Sequence, residues 1–501
     1  MTAARVRLLA RTASALLAGE VAGRTQRGAE ADAATPQQRR AVALRQAFES
    51  LGPLYIKVGQ ILSTRPDFVS PTTMAELETL HDRASVTPFA MMEPVLREEL
   101  GASWRSRFSF LETARPLGSA SLAQVYEGVL RNGRPVVVKV QRPGVTAVMD
   151  ADMRVLRRVA RTVARRAPRF NATVDLETMI AVVFDSMRPE LDFRLEAQNM
   201  DAARHTIHSF STLDVPEVVH ATRRTLIQTL APGSNIRSAD RSSFKEEDRI
   251  AIGRDLLGFM YRGYFEQRFF HADPHPGNIL VRPGDKASII DWGMVGRIDR
   301  RMSMSLVLIL LGLAQNDGTA AARAWIEMSN PTSWADLAGF TSDIAILVPK
   351  IAATSLDDLN FGTTLTDVLK CSTKRGIQSS PLVSILGKSF ANIDGSVRYL
   401  APELSVTDVF VDHLRPILTH FVSEATSQSQ LAQSLIEQLL LMSSSPSEAR
   451  GVLRDMANRD LAINWSPTLT GIRAGVSRED RTWGVIAAVA VYLAWRARHQ
   501  S

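Results

Sequence analysis

Residues 270–293 read FHADPHPGNILVRPGDKASIIDWG, and this stretch decides the fold. It predicts an apolar strand over Ile279–Val281, a Pro-Gly-Asp turn at 283–285 and a second strand over 287–290. Polar residues stand on both sides of this hairpin: Asp273, Asn278 and Asp291. The pattern therefore indicates a hairpin that holds metal- and proton-handling groups at one end.

Phosphoryl transfer from a nucleotide needs such a set of groups, because the protein contributes mainly positioned charge. The kinase pattern His-x-Asp-x4-Asn followed by Asp-x-Gly is met by His271, Asp273, Asn278, Asp291 and Gly293. Asp273 is the candidate for orienting the acceptor hydroxyl, and Asn278 and Asp291 are the candidates for binding magnesium. For any one of these residues, the alternative is a polar loop capped by Asp and Asn. A kinase-like site also needs a lysine on an upstream strand and a glutamate on a following helix, so these two residues distinguish the interpretations.

Both of those residues are present. The segment PVVVKV follows an Asn-Gly turn and predicts a buried strand that carries Lys139. A buried strand rarely contains a lysine unless its charge is paired, so Lys139 is the candidate for gripping nucleotide phosphates. Downstream, a helical pattern broken near Pro189 contains Glu190 and Glu196. We expect Glu196 to pair with Lys139, with Glu190 as the alternative and a solvated helix face as the plain interpretation.

The segment 108–140 predicts strands and turns, and its loop before PVVVKV departs from the glycine-rich loop of protein kinases. Aligned on Val125, it has Gly118, Ala120 and Ala123 where the kinase pattern has glycines. Alanine disfavours the positive φ angles that glycine adopts freely, so ordinary protein phosphorylation is less favoured. The candidate nucleotide contacts of this loop are Gly118, Ser119, Ala120 and Ser121. A further strand, TLIQTLAPG at 225–233, predicts a hinge between two lobes with Gln228 and Leu230 as candidate contacts.

Composition sets broad limits. The 501 residues are 45% hydrophobic and 22% charged, which is ordinary for a globular protein and allows one bilobal domain with extensions. The net charge of +7 suits anionic membrane surfaces or nucleotides, and no nucleic-acid module stands out, so we expect no nucleic-acid partner. Cys371 is the single cysteine, which excludes an intrachain disulfide and a cysteine metal cluster.

Other stretches predict helices. A helix with apolar residues at helical spacing runs from Phe48 to Leu62, and Gly59 inside it indicates close packing. A long helix is expected over 248–270, and the apolar run 306–314 predicts a buried helix. The apolar segment 483–495 is shorter than the about 20 residues of a membrane span, so we expect it in a membrane interface or on the protein surface. The arginine-rich start resembles an organelle transit peptide, although a bacterial Ala- and Arg-rich start is favoured.

Taken together, the chain resembles the UbiB/AarF family of atypical kinases, a group tied to isoprenoid quinone biosynthesis in bacteria and organelles. The resemblance covers roughly residues 48–402 and rests on these segments: LGPLYIKVGQILSTRPD, GSAS, VVVKVQRPG, ELDFRLEAQN, FFHADPHPGNIL and DWGMVGRID. It implies an α+β, two-lobed protein-kinase-like fold, with a small β-rich N-lobe, a helical C-lobe and added N- and C-terminal helices. It also implies ATP and Mg²⁺ as ligands.

The resemblance assigns roles by motif. Lys57, Gly59 and Gln60 match the KxGQ motif, in an extension that folds over the site where a protein kinase admits its peptide. Glu190 and Asp192 match the ExD motif that accompanies this extension. The nucleotide lysine, its partner, the catalytic pair and the metal aspartate are Lys139, Glu196, Asp273, Asn278 and Asp291. Gly118-Ser119 replaces the first two alanines of the family's AAAS loop, and Gln228-Thr229 stands where Met-Glu is frequent.

The resulting expectation has five segments: a flexible basic lead (1–41), a helical extension (42–107), an N-lobe (108–233), a C-lobe (234–425) and a helical tail (426–501). We expect an ATP- and Mg²⁺-dependent atypical kinase or ATPase that supports isoprenoid quinone or other lipid metabolism. Its partners would be ATP/ADP, a membrane lipid or quinone precursor, and biosynthetic proteins. It would be cytoplasmic and membrane-associated, or in an organelle matrix if the start is a transit peptide. The alternative is a nucleotide-binding scaffold with little turnover that switches a lipid- or partner-binding surface.

Overall fold

The computed structural model of the chain describes residues 35–63, 69–80, 85–166, 180–181, 184, 187, 189–352 and 361–425. The predicted basic lead before residue 35 and the tail 426–501, with its apolar segment 483–495, lie outside the described residues. The described residues up to Val409 belong to one compact unit, and residues 410–425 belong to a second.

Helices come first in the described chain: α1 (Pro36–Leu51), α2 (Pro53–Ser63), α3 (Pro71–Glu78) and α4 (Phe89–Leu100). Helix α1 begins before the predicted residue 42, because the Thr35 hydroxyl caps it and a proline occupies its first position. The single helix predicted from Phe48 to Leu62 is wrong, since Gly52 adopts a φ of +99° and separates α1 from α2. The close packing predicted at Gly59 is confirmed: an added Cβ would collide with the side chains of Phe48 and Leu80.

The β-rich part follows and contains β1 (Phe108–Leu111), β2 (Gly118–Ser119), β3 (Ala123–Leu130), β4 (Pro135–Gln141), α5 (Val145–Arg166), α6 (Phe193–Ile207), β5 (Leu213–Asp214), β6 (Val218–Ala221) and β7 (Thr225–Thr229). Its antiparallel sheet has the order β1-β3-β4-β7-β6, with β2 paired to β3. Side chains alternate across β4: Val136, Val138 and Val140 are buried in the core, and Lys139 lies on the opposite face. The central strand of the sheet therefore carries the predicted nucleotide lysine.

The helical part contains β8 (Ser234–Asn235), α7 (Glu246–Arg262), β9 (Phe269–His271), β10 (Ile279–Val281), β11 (Ala287–Ile289), β12 (Val295–Arg297), α8 (Arg300–Ala314), α9 (Gly318–Glu327), β13 (Asn330–Pro331), α10 (Leu337–Ala352), α11 (Phe361–Lys374), β14 (Ile377–Gln378), α12 (Pro381–Leu400) and α13 (Val406–Ala425). The predicted hairpin is confirmed, because β10 and β11 pair antiparallel with Ile279 opposite Ile289. Strand β11 also pairs in parallel with β5, and β10 pairs with β8.

The helix predicted over 248–270 is wrong at its C-terminal end. The α-helical part of α7 ends at Arg262. A single π-helical turn follows over Gly263–Gln267. Arg268 then adopts a left-handed φ of +54°, and β9 pairs antiparallel with β12. The hydrogen bonds to β12 replace those of a continuing helix. A strand, held by its pairing, therefore leads the chain into Asp273.

Helix α8 covers the predicted buried helix 306–314. Its apolar side chains Leu306, Val307, Ile309, Leu310 and Leu313 are buried, and Leu308 is exposed. None of the helices in the described part of the chain has both the length and the apolarity to cross a bilayer.

Candidate active site

Lys139 lies at the centre of the site. Its Nζ is 2.9 Å from both carboxylate oxygens of Glu196 and 3.1 Å from Oδ1 of Asp291. This is the Lys139–Glu196 pairing that the sequence favoured over Glu190. The ring of Phe193, next to α6's N-cap, lies 5.3 Å from the same ammonium group. One cation thus joins the β-rich sheet, helix α6 and the metal-motif loop.

The electrostatics of this triad follow from burial and charge. Burial alone would lower the pKa of Lys139, but the charges of Asp291 and Glu196 outweigh it and raise that pKa. The positive charge of Lys139 is the main cause that keeps the pKa of Asp291 well below its usual range. Burial raises the pKa of Glu196, whose side chain is only 3% exposed, against the pull of Lys139. Lys139 and Asp291 are accordingly charged at neutral pH.

The position of Asp291 depends on a left-handed backbone conformation and on the buried side chain of Trp292. Its φ is +60°, in the left-handed region that non-glycine residues rarely occupy. The next residue, Trp292, is buried against the ring of His271 at 4.8 Å, and its indole N–H donates to the Ile289 carbonyl at 3.1 Å. Asn199 on α6 donates to the Trp292 carbonyl at 3.0 Å. Asn199 was not among the predicted site residues, although it stands in the quoted ELDFRLEAQN segment.

Hydrogen bonds order the catalytic loop around Asp273. The Asp273 N–H donates to Nδ1 of His271 at 3.1 Å, and Nε2 of that ring lies 3.1 Å from the Ile290 carbonyl. Burial lowers the pKa of His271, which favours the neutral ring. The Asn278 side chain donates to the Asp273 carbonyl at 3.1 Å, so its amide oxygen remains for another ligand.

Helix α12 contributes contacts that the sequence reasoning missed. Asn392 donates to Oδ1 of Asp273 at 2.6 Å, and Nζ of Lys388 lies 3.3 Å from Oδ2. Burial alone would raise the pKa of Asp273, but the charge of Lys388, with smaller effects from His275, Lys57 and His271, lowers it. The Asp273 carboxylate is therefore ionised and has a partner on each oxygen.

The residues of the KxGQ and ExD motifs form separate contacts beside the triad. Lys57 pairs with Glu190 at 2.6 Å, with both side chains mostly buried. A Cβ at Gly293 would lie 3.9 Å from Glu190 Cγ and 3.8 Å from Glu196 Oε2, which places the Lys57–Glu190 pair against the metal motif. Asp192 instead caps α6 and binds the Arg194 guanidinium at 2.6 Å.

The other members of these motifs serve packing. Gln60 Nε2 donates to the Leu80 carbonyl at 3.4 Å. Gly59 allows α2 to approach Phe48 and Leu80. The two motifs thus supply one ion pair next to the site, one helix cap and one close helix contact.

A single arginine holds the predicted nucleotide loop. Arg142, which ends the VVVKVQR segment, donates to the Ala120 carbonyl and the Ser119 hydroxyl, both at 2.8 Å. It also donates to the Ser85 carbonyl at 2.8 Å. Gly118 has a φ outside the left-handed range and open space around an added Cβ, so its backbone does not require glycine. Arg142 was not predicted, because an arginine after a strand ordinarily reads as a surface residue.

The predicted hinge contacts lie on and just after β7. Gln228 pairs through its backbone with Val137 and Val218. The Leu230 N–H donates to the Pro135 carbonyl at 3.2 Å. Both residues therefore lie at the end of the sheet that leads into the helical part, and their contact with adenine stays a prediction.

The donor set fits magnesium. Asn278 and Asp291 offer an amide oxygen and an ionised carboxylate, the hard oxygen ligands that Mg²⁺ prefers. The described residues contain no cluster of three or more His, Cys, Asp or Glu side chains able to hold a metal. A Mg²⁺ ion held here would take its other ligands from phosphate oxygens and water, as is usual for Mg²⁺ bound with a nucleotide.

Comparisons with known proteins agree with this geometry. Residues 79–324 match the family model of the ABC1 atypical kinase-like domain. "Probable protein kinase UbiB" of Cellvibrio japonicus is 32% identical over 382 residues, covering 74% of this chain and 68% of that protein. The protein of the same name from Azotobacter vinelandii is 30% identical over 429 residues, covering 84% and 78%. The chain belongs to the UbiB family. Its kinase-like α+β fold, expected from the sequence, is thereby confirmed.

A solved structure, that of the Rv3197–erythromycin complex from Mycobacterium tuberculosis, has a TM-score of 0.50 and 20% identity, covering 74% of this chain and 89% of that chain. This likeness concerns the fold alone. In this UbiB-family chain the matched domain, residues 79–324, contains Lys139, Glu196, Asp273, Asn278 and Asp291. Lys57 and the whole of α12 lie outside it.

Proposed function

We propose that this UbiB-family protein is an ATP- and Mg²⁺-dependent atypical kinase or ATPase. The observation that carries the proposal is the triad in which Lys139 bonds to Glu196 and to Asp291 at once. In kinases such a lysine–glutamate pair positions the lysine for the nucleotide phosphates, and the aspartate binds the metal. The triad supports the proposal because it joins the candidate nucleotide lysine to the candidate metal aspartate.

Each residue has a role in this proposal. Lys139 holds the α- and β-phosphates, and Glu196 fixes the lysine. Asn278 and Asp291 hold Mg²⁺, which supplies charge neutralisation at the phosphates when bound. Asp273, kept ionised by Lys388, orients the attacking hydroxyl or water and takes up its proton. Gly118 to Ser121 cover the phosphates, and Gln228 and Leu230 border the adenine.

Nucleotide binding is tested first by thermal shift with ATP and ADP, each with and without Mg²⁺. The wild type is expected to gain stability from ATP only when Mg²⁺ is present, because ligand binding stabilises the folded state. Lys139→Ala should lose that gain, and Lys350→Ala on helix α10 serves as a lysine control outside the site. A wild type that shows no shift with either nucleotide rejects the proposal.

A nucleotide-binding scaffold with little turnover is the second candidate. It is favoured by the Asp273 carboxylate, both of whose oxygens already have partners on α12. Steady-state ATPase measurements on wild type and Asp291→Asn, with and without anionic liposomes, separate the two. Turnover that Asp291→Asn abolishes supports the enzyme, and nucleotide binding without turnover in either condition supports the scaffold.

We also propose a role in isoprenoid quinone or other lipid metabolism, at a membrane on the cytoplasmic side. The support is the family and the net charge of +7, which favours anionic surfaces. A lipid or quinone precursor and biosynthetic proteins would be the partners. Co-sedimentation with anionic and with neutral vesicles tests the proposed membrane location. Binding to neither kind of vesicle would contradict that location.

A further inference from the structure

Helix α12 lies against the catalytic loop through four polar side chains. Lys388, Asn392 and Ser396 are spaced four residues apart and share one face of the helix, and Ser389 adjoins it. The Ser389 hydroxyl donates to the His271 carbonyl at 2.6 Å, and the Ser396 hydroxyl donates to the Pro274 carbonyl at 3.0 Å. These two bonds go to main-chain atoms on either side of Asp273, so the helix is fixed to the loop independently of the Asp273 charge.

The fixed helix places a cation at the carboxylate. Lys388 Nζ lies 3.3 Å from Oδ2 of Asp273, and the two side chains are 31% and 24% exposed. A partly exposed ion pair of this kind contributes little to stability, so stability alone gives little reason for a lysine there. The catalytic loop itself offers His275 two residues after Asp273, but that ring accepts the Gly277 N–H at 3.0 Å within its own turn. The charge of Lys388, on α12, is the largest of the positive charges that act on Asp273.

We propose that Lys388 is a further catalytic residue, which binds the terminal phosphate of the nucleotide beside Asp273. An ammonium group has three N–H donors, and the contact with Asp273 uses one of them. In the proposed function, Asp273 orients the acceptor oxygen toward the terminal phosphate of the nucleotide. The Lys388 ammonium group, 3.3 Å from the Asp273 carboxylate, therefore lies within reach of that phosphate. The inference rests on the proposed kinase or ATPase function.

The step balances without any further reagent. The acceptor oxygen, of a hydroxyl or of water, forms a bond to the terminal phosphorus, and the bond from that phosphorus to the bridging oxygen breaks. The bridging oxygen leaves with the electron pair on ADP, and the acceptor proton passes to Asp273. Lys388 donates hydrogen bonds to the phosphoryl oxygens, whose negative charge it offsets. Asn392 is a positioning residue, because it holds Oδ1 of Asp273 at 2.6 Å.

The test compares binding of AMP-PNP, a non-hydrolysable ATP analogue, with binding of ADP, both with Mg²⁺ and the full chain. Lys388→Met removes the charge and keeps the aliphatic stem, Lys388→Arg keeps the charge, and Lys370→Met on α11, where the lysine pairs with Asp367, is the control. Lys388→Met is expected to weaken AMP-PNP about tenfold, the effect of losing one charge-assisted hydrogen bond, and to leave ADP binding unchanged. Lys388→Arg and Lys370→Met should retain the wild-type ratio of the two affinities.

Two results would overturn the inference, and they have different consequences for the proposed function. If wild type binds both nucleotides and Lys388→Met keeps the wild-type affinity ratio, Lys388 does not contact the terminal phosphate, and the proposed function stands. If wild type binds neither nucleotide, the proposed function fails and takes the inference with it. Melting temperatures establish that each variant is folded.

Discussion

Asn199 Nδ2 donates a 3.0 Å hydrogen bond to the carbonyl oxygen of Trp292, so helix α6 is bonded directly to the loop that carries Asp291. Glu196, on the same helix, reaches that loop through Lys139. The helix therefore has two attachments to the metal motif, one charged and one neutral. The neutral one persists whatever the state of the lysine.

Asn199→Ala should destabilise the protein by about 1–3 kcal/mol, because it leaves the buried Trp292 carbonyl without its donor. Urea unfolding measures the change. Asn330→Ala, at an exposed position whose sheet contacts are made by the backbone, is the matched control and should change stability by less than about 0.5 kcal/mol. Equal effects of the two substitutions would contradict the role of Asn199.

His271 should make stability sensitive to acid. Burial lowers its pKa in the folded state, so the unfolded chain binds the proton more readily. The stabilising contribution is complete above the unfolded pKa of about 6.5 and is lost progressively as the pH falls below it. Urea unfolding between pH 7.5 and 5.5 should show a smaller loss for His271→Gln than for wild type.

The exposed His208 provides the control for that measurement. His208→Gln makes the same substitution at an exposed position and is measured over the same pH range. Parallel curves for wild type and His271→Gln would show that the buried ring does not set the acid sensitivity.

Lys57 and Glu190 should be coupled energetically. Their side chains are 15% and 18% exposed and lie 2.6 Å apart. A double-mutant cycle with Lys57→Met and Glu190→Gln, followed by urea unfolding, is expected to give a coupling energy of about 0.5–3 kcal/mol. The exposed pair Lys370–Asp367, 40% and 48% exposed, should give less than about 1 kcal/mol in the same cycle. A coupling near zero for Lys57 and Glu190 would mean that α2 is held at the site by other contacts.

Local and charge-driven features were predictable from the sequence. The hairpin of β10 and β11 follows from apolar runs around a Pro-Gly-Asp turn, and its register needs no distant partner. Lys139 and Glu196 are 57 residues apart, yet a lysine on a buried strand requires an acid, so its partner was sought and named. At Gly52 the Gly-Pro pair of the sequence ends the helix, although the spacing of the apolar residues continues beyond it.

Other features depend on contacts that the sequence does not display. Lys388 and Asn392 lie 115 and 119 residues from Asp273, and on a helix they have the same pattern as solvated residues. The end of α7 is set by the pairing of β9 with β12, and no proline or glycine marks Arg268 as the turning point. In both cases non-local packing decides, and hydrophobic periodicity carries no information about it.

Gly118, in the proposed nucleotide loop, and Gly233, after β7, should respond differently to alanine. Gly118 has open space around an added Cβ and a φ outside the left-handed range, so Gly118→Ala should change stability by less than about 0.5 kcal/mol. Gly233 has a φ of +95° and an added Cβ would collide with the Val281 carbonyl. Gly233→Ala should cost at least about 1–2 kcal/mol. Comparable losses in urea unfolding would show that the loop at Gly118 needs glycine after all.

Arg142 should control the order of the proposed nucleotide loop, residues 118–121. Its guanidinium reaches the Ala120 carbonyl, the Ser119 hydroxyl and the Ser85 carbonyl at once, which a lysine's single ammonium group cannot reproduce. Both Arg142→Ala and Arg142→Lys are therefore expected to raise amide hydrogen exchange over residues 118–123 and to weaken ATP binding about tenfold. Arg131→Lys, at an exposed arginine on the β3–β4 turn, is the control and should leave exchange over 118–123 unchanged. Full exchange protection in Arg142→Lys would show that charge alone, without the planar fork of donors, is enough to hold the loop.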